Sequence, residues 1–420
     1  MSEGSEAPSR LARRLGLGDA VVIGLGSMIG AGIFSAFGPA AQAAGSGLLI
    51  GLAIAAAVAY CNATSSASLA ARHPASGGTY VYGRERLGPF WGHLAGWGFV
   101  VGKTASCAAI ALTVGAYAAP AWSRPIALVS VVAVTAVDLR GVHRTVAATR
   151  VIVALVLVAL ALVVIAALFG GTASRAHIGA VTGGDVHGVL QSAGLLFFAF
   201  AGYARIATLG EEVREPARTI PKAIPRALGI TLFVYAAVAV SALAAVGPAA
   251  LAASAAPLTT VVRAGSLAAL APAVRVGGTV AALGVLLSLI AGVGRTTFAM
   301  ASDGALPRWL AAVHTEHEVP HHAEVAIGAV VAVLVLVTDL RHTIGFSSFC
   351  VLAYYAIANA SAWTLPRDAR RPRVVAGAGL LGCVVLACTL PLASVASGAG
   401  VLLVGAVAWR VTTRVTHRPS

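Results

Sequence analysis

The sequence predicts an all-α protein that crosses a membrane many times, and three observations carry that prediction. Of its 420 residues 58% are hydrophobic and only 10% charged, and the mean hydropathy is +0.88, a composition no ordinary soluble domain has. The apolar residues fall into runs of about 20, the length a helix needs to cross a bilayer core. The basic residues collect in alternate connections between those runs.

Twelve spanning segments follow, at 19–43, 46–71, 91–119, 123–139, 147–170, 189–211, 224–247, 275–301, 321–338, 343–365, 372–393 and 396–415. Segment 1 carries four glycines in GLGSMIGAGIF, residues 24–34. After segment 2 comes HPASGGTYVYGRERLGPF, where Gly, Pro, aromatics and both charges suggest an ordered connection lying along the membrane surface. Segment 4 is the shortest and segment 8 the longest. Segment 5 holds the uncharged run VIVALVLVALALVVIAALF, and segment 6 reads GLLFFAFAGYARIATLGEE. Before segment 7, EEVREPARTIPKAIPRA mixes salt-bridging charges with a helix start at Pro225. After it, the Ala- and Pro-rich stretch 248–274 predicts short helices on the outer face.

With both termini inside, cytoplasmic connections hold 22 of the 29 Lys and Arg, outer ones hold Arg124, Arg175, Arg263, Arg275 and Arg341, and Lys103 and Arg205 lie within segments. The formal charge of +14 therefore reads as topology, and nucleic-acid binding is excluded as its explanation. The polar, basic stretch 1–18 is expected to be a cytoplasmic tail without a signal peptide. Cys61, Cys107, Cys350, Cys383 and Cys388 all fall inside segments without metal-ligand spacing and read as small packing residues.

Glycine costs about 1 kcal/mol against Ala in a helix interior, yet Gly26-x-x-x-Gly30 also lets membrane helices pack closely. A second interruption favours a different reading. Gly202 sits at the centre of segment 6, flanked by aromatics and followed by polar residues. Interrupted helices five apart indicate an inverted repeat of five plus five helices. Broken helices expose backbone at mid-membrane, tolerated where protein or a water-filled cavity satisfies it. Freed N–H groups of Ser27, Met28, Ile29 and Gly30 are then expected to hold an anion, and freed carbonyls an ammonium. A zwitterion fits such a pair of ends.

These same residues resemble a known family. IGLGSMIGAGIFSAFGPAA looks like the first helix of amino acid, polyamine and organocation (APC) superfamily transporters, with their G-x-x-I-G-x-G-I-F pattern at Gly26 to Phe34. Residues 197–227 are similar to the sixth helix and following loop, 294–310 to the end of the eighth, and 73–97 to the first cytoplasmic loop and start of the third. The matches together span about 19–365. The resemblance implies a ten-helix core over 19–365, made of two inverted five-helix repeats with helices 1 and 6 interrupted. Residues 366–420 then supply two appended helices and a short cytoplasmic end. It further implies alternating access around an α-amino acid bound by Ser27, Met28, Ile29, Gly30, Ala31 and Gly32, with Phe198, Ala199, Ala201 and Gly202 helping from helix 6. Phe198 falls where these permeases carry an aromatic lid.

Lys103 lies twelve residues into segment 3, about 18 Å along it, near the midplane, where a Lys costs roughly 2.5 to 3.5 kcal/mol. It is either a functional cation at the site edge or a side chain that snorkels to loose carbonyls. Arg205 can pair with Glu211 or Glu212 as a gate or contact substrate. Proton-coupled relatives carry a Lys in helix 5, where Leu157 stands here, and sodium-coupled ones carry paired hydroxyls in helix 8, where Ser288 stands alone. Coupling to proton or sodium, exchange, and uncoupled carriage therefore stay open.

The segment HTEHEVPHHA, 314–323, reads as a polar loop in preference to a metal site, and RDARRPR, 367–373, as a basic loop on lipid headgroups. No Ser, His and Asp set, phosphate loop, cofactor motif or pair of carboxylates in a cavity is evident. An enzyme needs ionisable groups converging at one depth, and only Lys103 is deep. The expectation is a secondary transporter of the cytoplasmic membrane, not an enzyme, with lipid and an amino acid, neutral by preference, as its partners; the alternative is an exchanger or uncoupled carrier of another amine-bearing metabolite. A non-transporting scaffold with unbroken helices is the rival. The two cations placed within segments, Lys103 and Arg205, disfavour polyamines and cationic amino acids.

Overall fold

The computed structural model of the protein describes residues 15–73, 77–141, 146–179, 181, 185–207, 213–366 and 373–416. The chain enters through α1 (Leu17–Met28), α2 (Ala31–Ser35) and α3 (Phe37–Ala44), three pieces of the first predicted segment. There follow α4 (Leu48–Arg72), α5 (Thr79–Leu87), α6 (Pro89–Ala118), α7 (Ser123–Asp138), α8 (Val146–Phe169) and the short α9 (Arg175–Ile178). The sixth segment is α10 (Val186–Phe200) and α11 (Ala204–Ala207), joined by a 3-10 turn over Ala201–Tyr203. The rest is α12 (Pro216–Ala253), α13 (Pro257–Arg263), α14 (Ala271–Ser302), α15 (His321–Val337), α16 (Leu340–Trp363), α17 (Arg373–Thr389) and α18 (Leu392–Thr416).

Among the described residues ten helices are long and apolar enough to cross a membrane, and α15 and α17 are shorter apolar helices. The protein is a multi-pass membrane protein. α6 is almost wholly enclosed and packs against α14 and α16, whereas α18 is largely exposed at the periphery. The surface connection after α4 is helical as α5, and 248–274 holds α13 and a 3-10 turn at Ala268–Leu270. These two features mark opposite ends of the bundle, called here the α5 side and the α13 side.

One helix start differs from expectation. α12 begins at Pro216, not at Pro225. Proline is well tolerated at the first helical position, where its missing N–H has no partner to lose. Pro221 and Pro225 then sit inside the helix and deprive only the carbonyls of Ala217 and Pro221 of donors. At the other end Gly247, at φ 71°, turns the chain in a conformation disfavoured for side-chain-bearing residues and so kinks α12.

Two contacts fix the start of α1. Asp19 accepts from Arg150 of α8 at 2.5 Å and from the Gly16 amide at 3.0 Å. An isolated parallel bridge joins Leu15 to Val213, with the Arg214 amide donating to the Leu15 carbonyl at 2.9 Å.

Candidate functional site

The first helix breaks where its glycines cluster. Ile29 leaves helical geometry at φ −77°, ψ 70°, Gly30 follows at φ −139°, ψ −137°, and the helix restarts at Ala31. Ser27 and Met28 remain inside α1. The Ile29 amide donates to the Leu25 carbonyl at 2.7 Å and the Gly30 amide to that of Met28 at 2.8 Å. The expectation that Ser27, Met28, Ile29 and Gly30 present free amides is therefore corrected. A helix orphans the amides of its first turn, so the amides left over here belong to Ala31, Gly32 and Ile33, after the break instead of before it.

The second break lies directly on the first. α10 ends at Phe200, and the 3-10 turn at Ala201–Tyr203 redirects the chain into α11. A side chain on Gly202 would collide with the Ser27 carbonyl, and one on Gly32 would lie 2.6 Å from the Ala199 Cα. Each glycine thus admits the backbone of the other helix, which no larger residue allows. The Tyr235 hydroxyl of α12 is a single donor shared between the Met28 carbonyl at 2.5 Å and the Ala199 carbonyl at 3.0 Å. Fully buried, it ties the two breaks together. Removing it as Tyr235→Phe takes one donor from the Ala199 carbonyl and leaves the Met28 carbonyl with the Gly30 amide alone, and we expect a loss of about 1 kcal/mol in stability. The check is thermal unfolding of the purified protein, alongside a lower turnover in vesicles.

Around this crossing lies a cavity of ≈ 320 Å³, within the size range of small-molecule sites. Gly26, Ser27 and Met28 line it on one side of the first break and Ala31 and Gly32 on the other. Ile29 and Gly30 shape the break without lining the cavity. Phe198, Ala199, Ala201 and Gly202 line it from the second broken helix, and Ser288 from α14 donates to the Gly284 carbonyl at 3.2 Å. Lys103 stands midway along α6, 7% exposed, on the wall. Among the described residues no carboxylate forms a hydrogen bond or ion pair with Lys103. Arg205 and Arg295 also line the cavity. Glu211 and Glu212, the expected partners of Arg205, lie outside the described residues.

The cavity extends toward the α5 side, where Gly77, Gly78 and Tyr80 line it. There the Tyr80 hydroxyl donates to Asp303 at 2.7 Å and Arg84 pairs with the same carboxylate at 2.9 Å. Burial first, and then the Asp303 carboxylate, push the Tyr80 phenol up to about 12, so it remains a donor at neutral pH. Toward the α13 side the path is shut. Tyr117 meets Phe34 edge to face at 5.3 Å, donates to the Phe34 carbonyl at 2.8 Å and accepts from the Leu258 amide at 3.3 Å. Arg275 clamps the end of α6 through the carbonyls of Tyr117 at 2.9 Å and Ala118 at 2.5 Å. The sequence marked Arg275 only as an outer charge.

Three further outcomes bear on the sequence reading. Among the described residues no group of three His, Cys, Asp or Glu could hold a metal. In the segment 314–323, His314 and His317 stack at 5.0 Å, and the His314 ring accepts from the Glu316 amide at 3.2 Å. Asp138, at the end of α7, and Glu324, in the first turn of α15, are both buried, and sequence reasoning singled out neither. Tyr235 was also missed, since nothing in its local sequence marks a tyrosine that reaches two other helices.

A multi-pass bundle in which two broken helices cross over a cavity shut on one side is the architecture of a membrane transporter, and the comparisons agree. The description of amino acid permeases matches residues 19–366, and the chain belongs to that family, within the APC superfamily. It is 64% identical to an uncharacterized transporter of Mycobacterium tuberculosis, Rv1999c, over 98% of this chain and 94% of that one. The branched-chain amino acid permease BcaP of Bacillus subtilis is 26% identical over 96% and 94% of the two chains. A methylthioribose transporter of the same bacterium is 27% identical over 83% and 80%.

Proposed function

We propose that the protein is a secondary transporter that carries a neutral amino acid across the cytoplasmic membrane by alternating access, with both termini cytoplasmic. The observation that carries this reading is the crossing of the two helix breaks at the cavity wall, next to Lys103. The substrate carboxylate is held by the amides of Ala31 and Gly32 and by the Lys103 ammonium, since helix N-termini and cations both favour an anion. The ammonium group faces the carbonyls at the end of α1 and near Phe198, Ala199 and Ala201. Phe198, Ile110, Val285 and Leu289 leave an apolar space for the side chain.

Charge supports the substrate class. A cationic side chain would approach the buried Lys103 ammonium on the cavity wall, where repulsion in low dielectric is severe. In this topology twelve helices cross the bilayer, ten of them as two inverted repeats over 19–365, with 366–420 appended. The α5 side then faces the cytoplasm, and the conformation is one whose cavity has closed outward behind Tyr117. Arg205, Glu211 and Ser288 are the gating and coupling residues of this scheme.

The test is counterflow. Purified protein in liposomes is preloaded in turn with neutral, acidic or basic amino acids or a polyamine, and labelled forms are added outside. Accumulation with the neutral class is the expected result. Accumulation with acidic or basic compounds alone overturns the substrate class, and none with folded protein overturns the transport reading.

A further inference from the structure

Asp138 ends α7 and Glu324 stands in the first turn of α15, and they are 1% and 2% exposed. Neither lines the cavity. Both carboxylate oxygens of Asp138 and Oε2 of Glu324 are sealed from solvent and have no hydrogen-bond partner among the described residues. A buried, unsatisfied carboxylate is among the costliest groups a protein can hold. Two of them on one seam call for a missing partner.

The packing says how large that partner can be. α7 lies against α15 so that Gly328, one turn beyond Glu324, meets Thr135, one turn short of Asp138. A Cβ on Gly328 would lie 2.8 Å from the Thr135 hydroxyl. From α14, a Cβ on Gly294 would lie 2.9 Å from Glu324 Cγ. At these two points the helices leave no room for a methyl group, and among the described residues no third His, Cys, Asp or Glu joins the pair as a group that could hold a metal. A metal or sodium ion needs several oxygens and room for its own radius. A hydrogen needs neither.

The surrounding charges are few. Arg295 of α14 is within electrostatic range of both acids. His321 lies one turn before Glu324 on α15, and its Nδ1 is also buried and unpartnered. Thr297 of α14 is buried with an unpartnered hydroxyl. From α6, Cys107 is within electrostatic range of Asp138 and also of Lys103, one turn away on the same helix. Arg308, on the turn that packs against α15, is exposed. Two carboxylates in one low-dielectric site cannot both stay ionised, and one cation does not neutralise two.

We propose that Asp138 and Glu324 form a proton site: one carboxyl carries the hydrogen while the other stays ionised, and the proton is taken up and released in each transport cycle. This rests on the transport reading above and names its coupling ion. The site lies behind the substrate cavity, with Cys107 between it and Lys103, so loss of the proton adds negative charge behind the cation that holds the substrate carboxylate. Uptake and release change no other covalent bond.

Two measurements test it on the full chain. In liposomes, a proton gradient, acid outside, should drive accumulation of labelled leucine by the wild type. Asp138→Asn and Glu324→Gln should each lose that accumulation while counterflow exchange of leucine persists. Infrared difference spectra of the purified protein across a pH jump should show the carbonyl stretch of a protonated carboxyl, absent in both variants. The spectra need no transport, so failure of counterflow alone would strike the transport reading and leave the proton site to be judged on its band. No such band in wild type minus variant, or variants that still accumulate leucine on the gradient, would overturn the proposal.

Discussion

Gly202→Ala abolishes uptake while leaving the protein inserted in the membrane. The added methyl group is directed at the Ser27 carbonyl and lies 2.8 Å from the Met28 amide nitrogen. Backbone cannot give way as a flexible side chain would. Overpacking of a core costs about 1 to 3 kcal/mol, and here the relief available is to push the two helix breaks apart, which dismantles the cavity between them. Uptake in vesicles, read against the amount of monodisperse protein, checks it. Gly400→Ala is the control, since nothing lies within 4 Å of the corresponding position, and it should transport normally. If Gly202→Ala transports as well as that control, the close crossing of the breaks is not needed for function.

Lys103→Met should separate function from stability. Methionine keeps the length of the stem and removes the charge. A hydrogen bond to a charged group contributes about 2 kcal/mol, so substrate affinity should fall roughly thirtyfold. The fold should gain at the same time, because a charged Lys at membrane depth costs roughly 2.5 to 3.5 kcal/mol. Thermal unfolding should therefore shift upward while apparent affinity worsens. An unchanged transport rate and affinity would mean that the ammonium has no part in binding, and that Lys103 is only an expensive neighbour of Cys107.

How much of this was legible in the sequence depends on the range of the interaction. Both helix breaks were, because a glycine at a break is a local necessity: Gly30 adopts the dihedral angles of the interruption, and Gly202 stands in the turn that ends α10. Among the described residues ten of the twelve expected spans are helices long and apolar enough to cross a membrane, and these were legible from hydropathy, since lipid imposes its thickness on each helix separately. The depth of Lys103 followed from counting along one helix. What escaped involves partners far apart in the chain. Tyr235 matters because it reaches Met28 and Ala199, and Tyr117 because it meets Phe34 and Leu258. Asp138 and Glu324 sit at the ends of apolar runs, where charge is ordinarily solvated, and only the antiparallel packing of α7 on α15 buries them. The freed amides were misplaced by about one helical turn because the turn at Ile29 and Gly30 satisfies its own N–H groups before the helix restarts.

The bridge between Leu15 and Val213 gives the two broken helices a second junction besides their crossing. It ties the stretch before α1 to the stretch after α11, so the ends of both helices that border the α5 side are stitched together like the two halves of a clasp. A single backbone hydrogen bond of this kind contributes only about 0.5 to 1.5 kcal/mol, little more than thermal energy. The clasp is therefore strong enough to set a resting posture and weak enough to slip without an external push, and anything that pulls on the chain ahead of Leu15 pulls on the doorway itself.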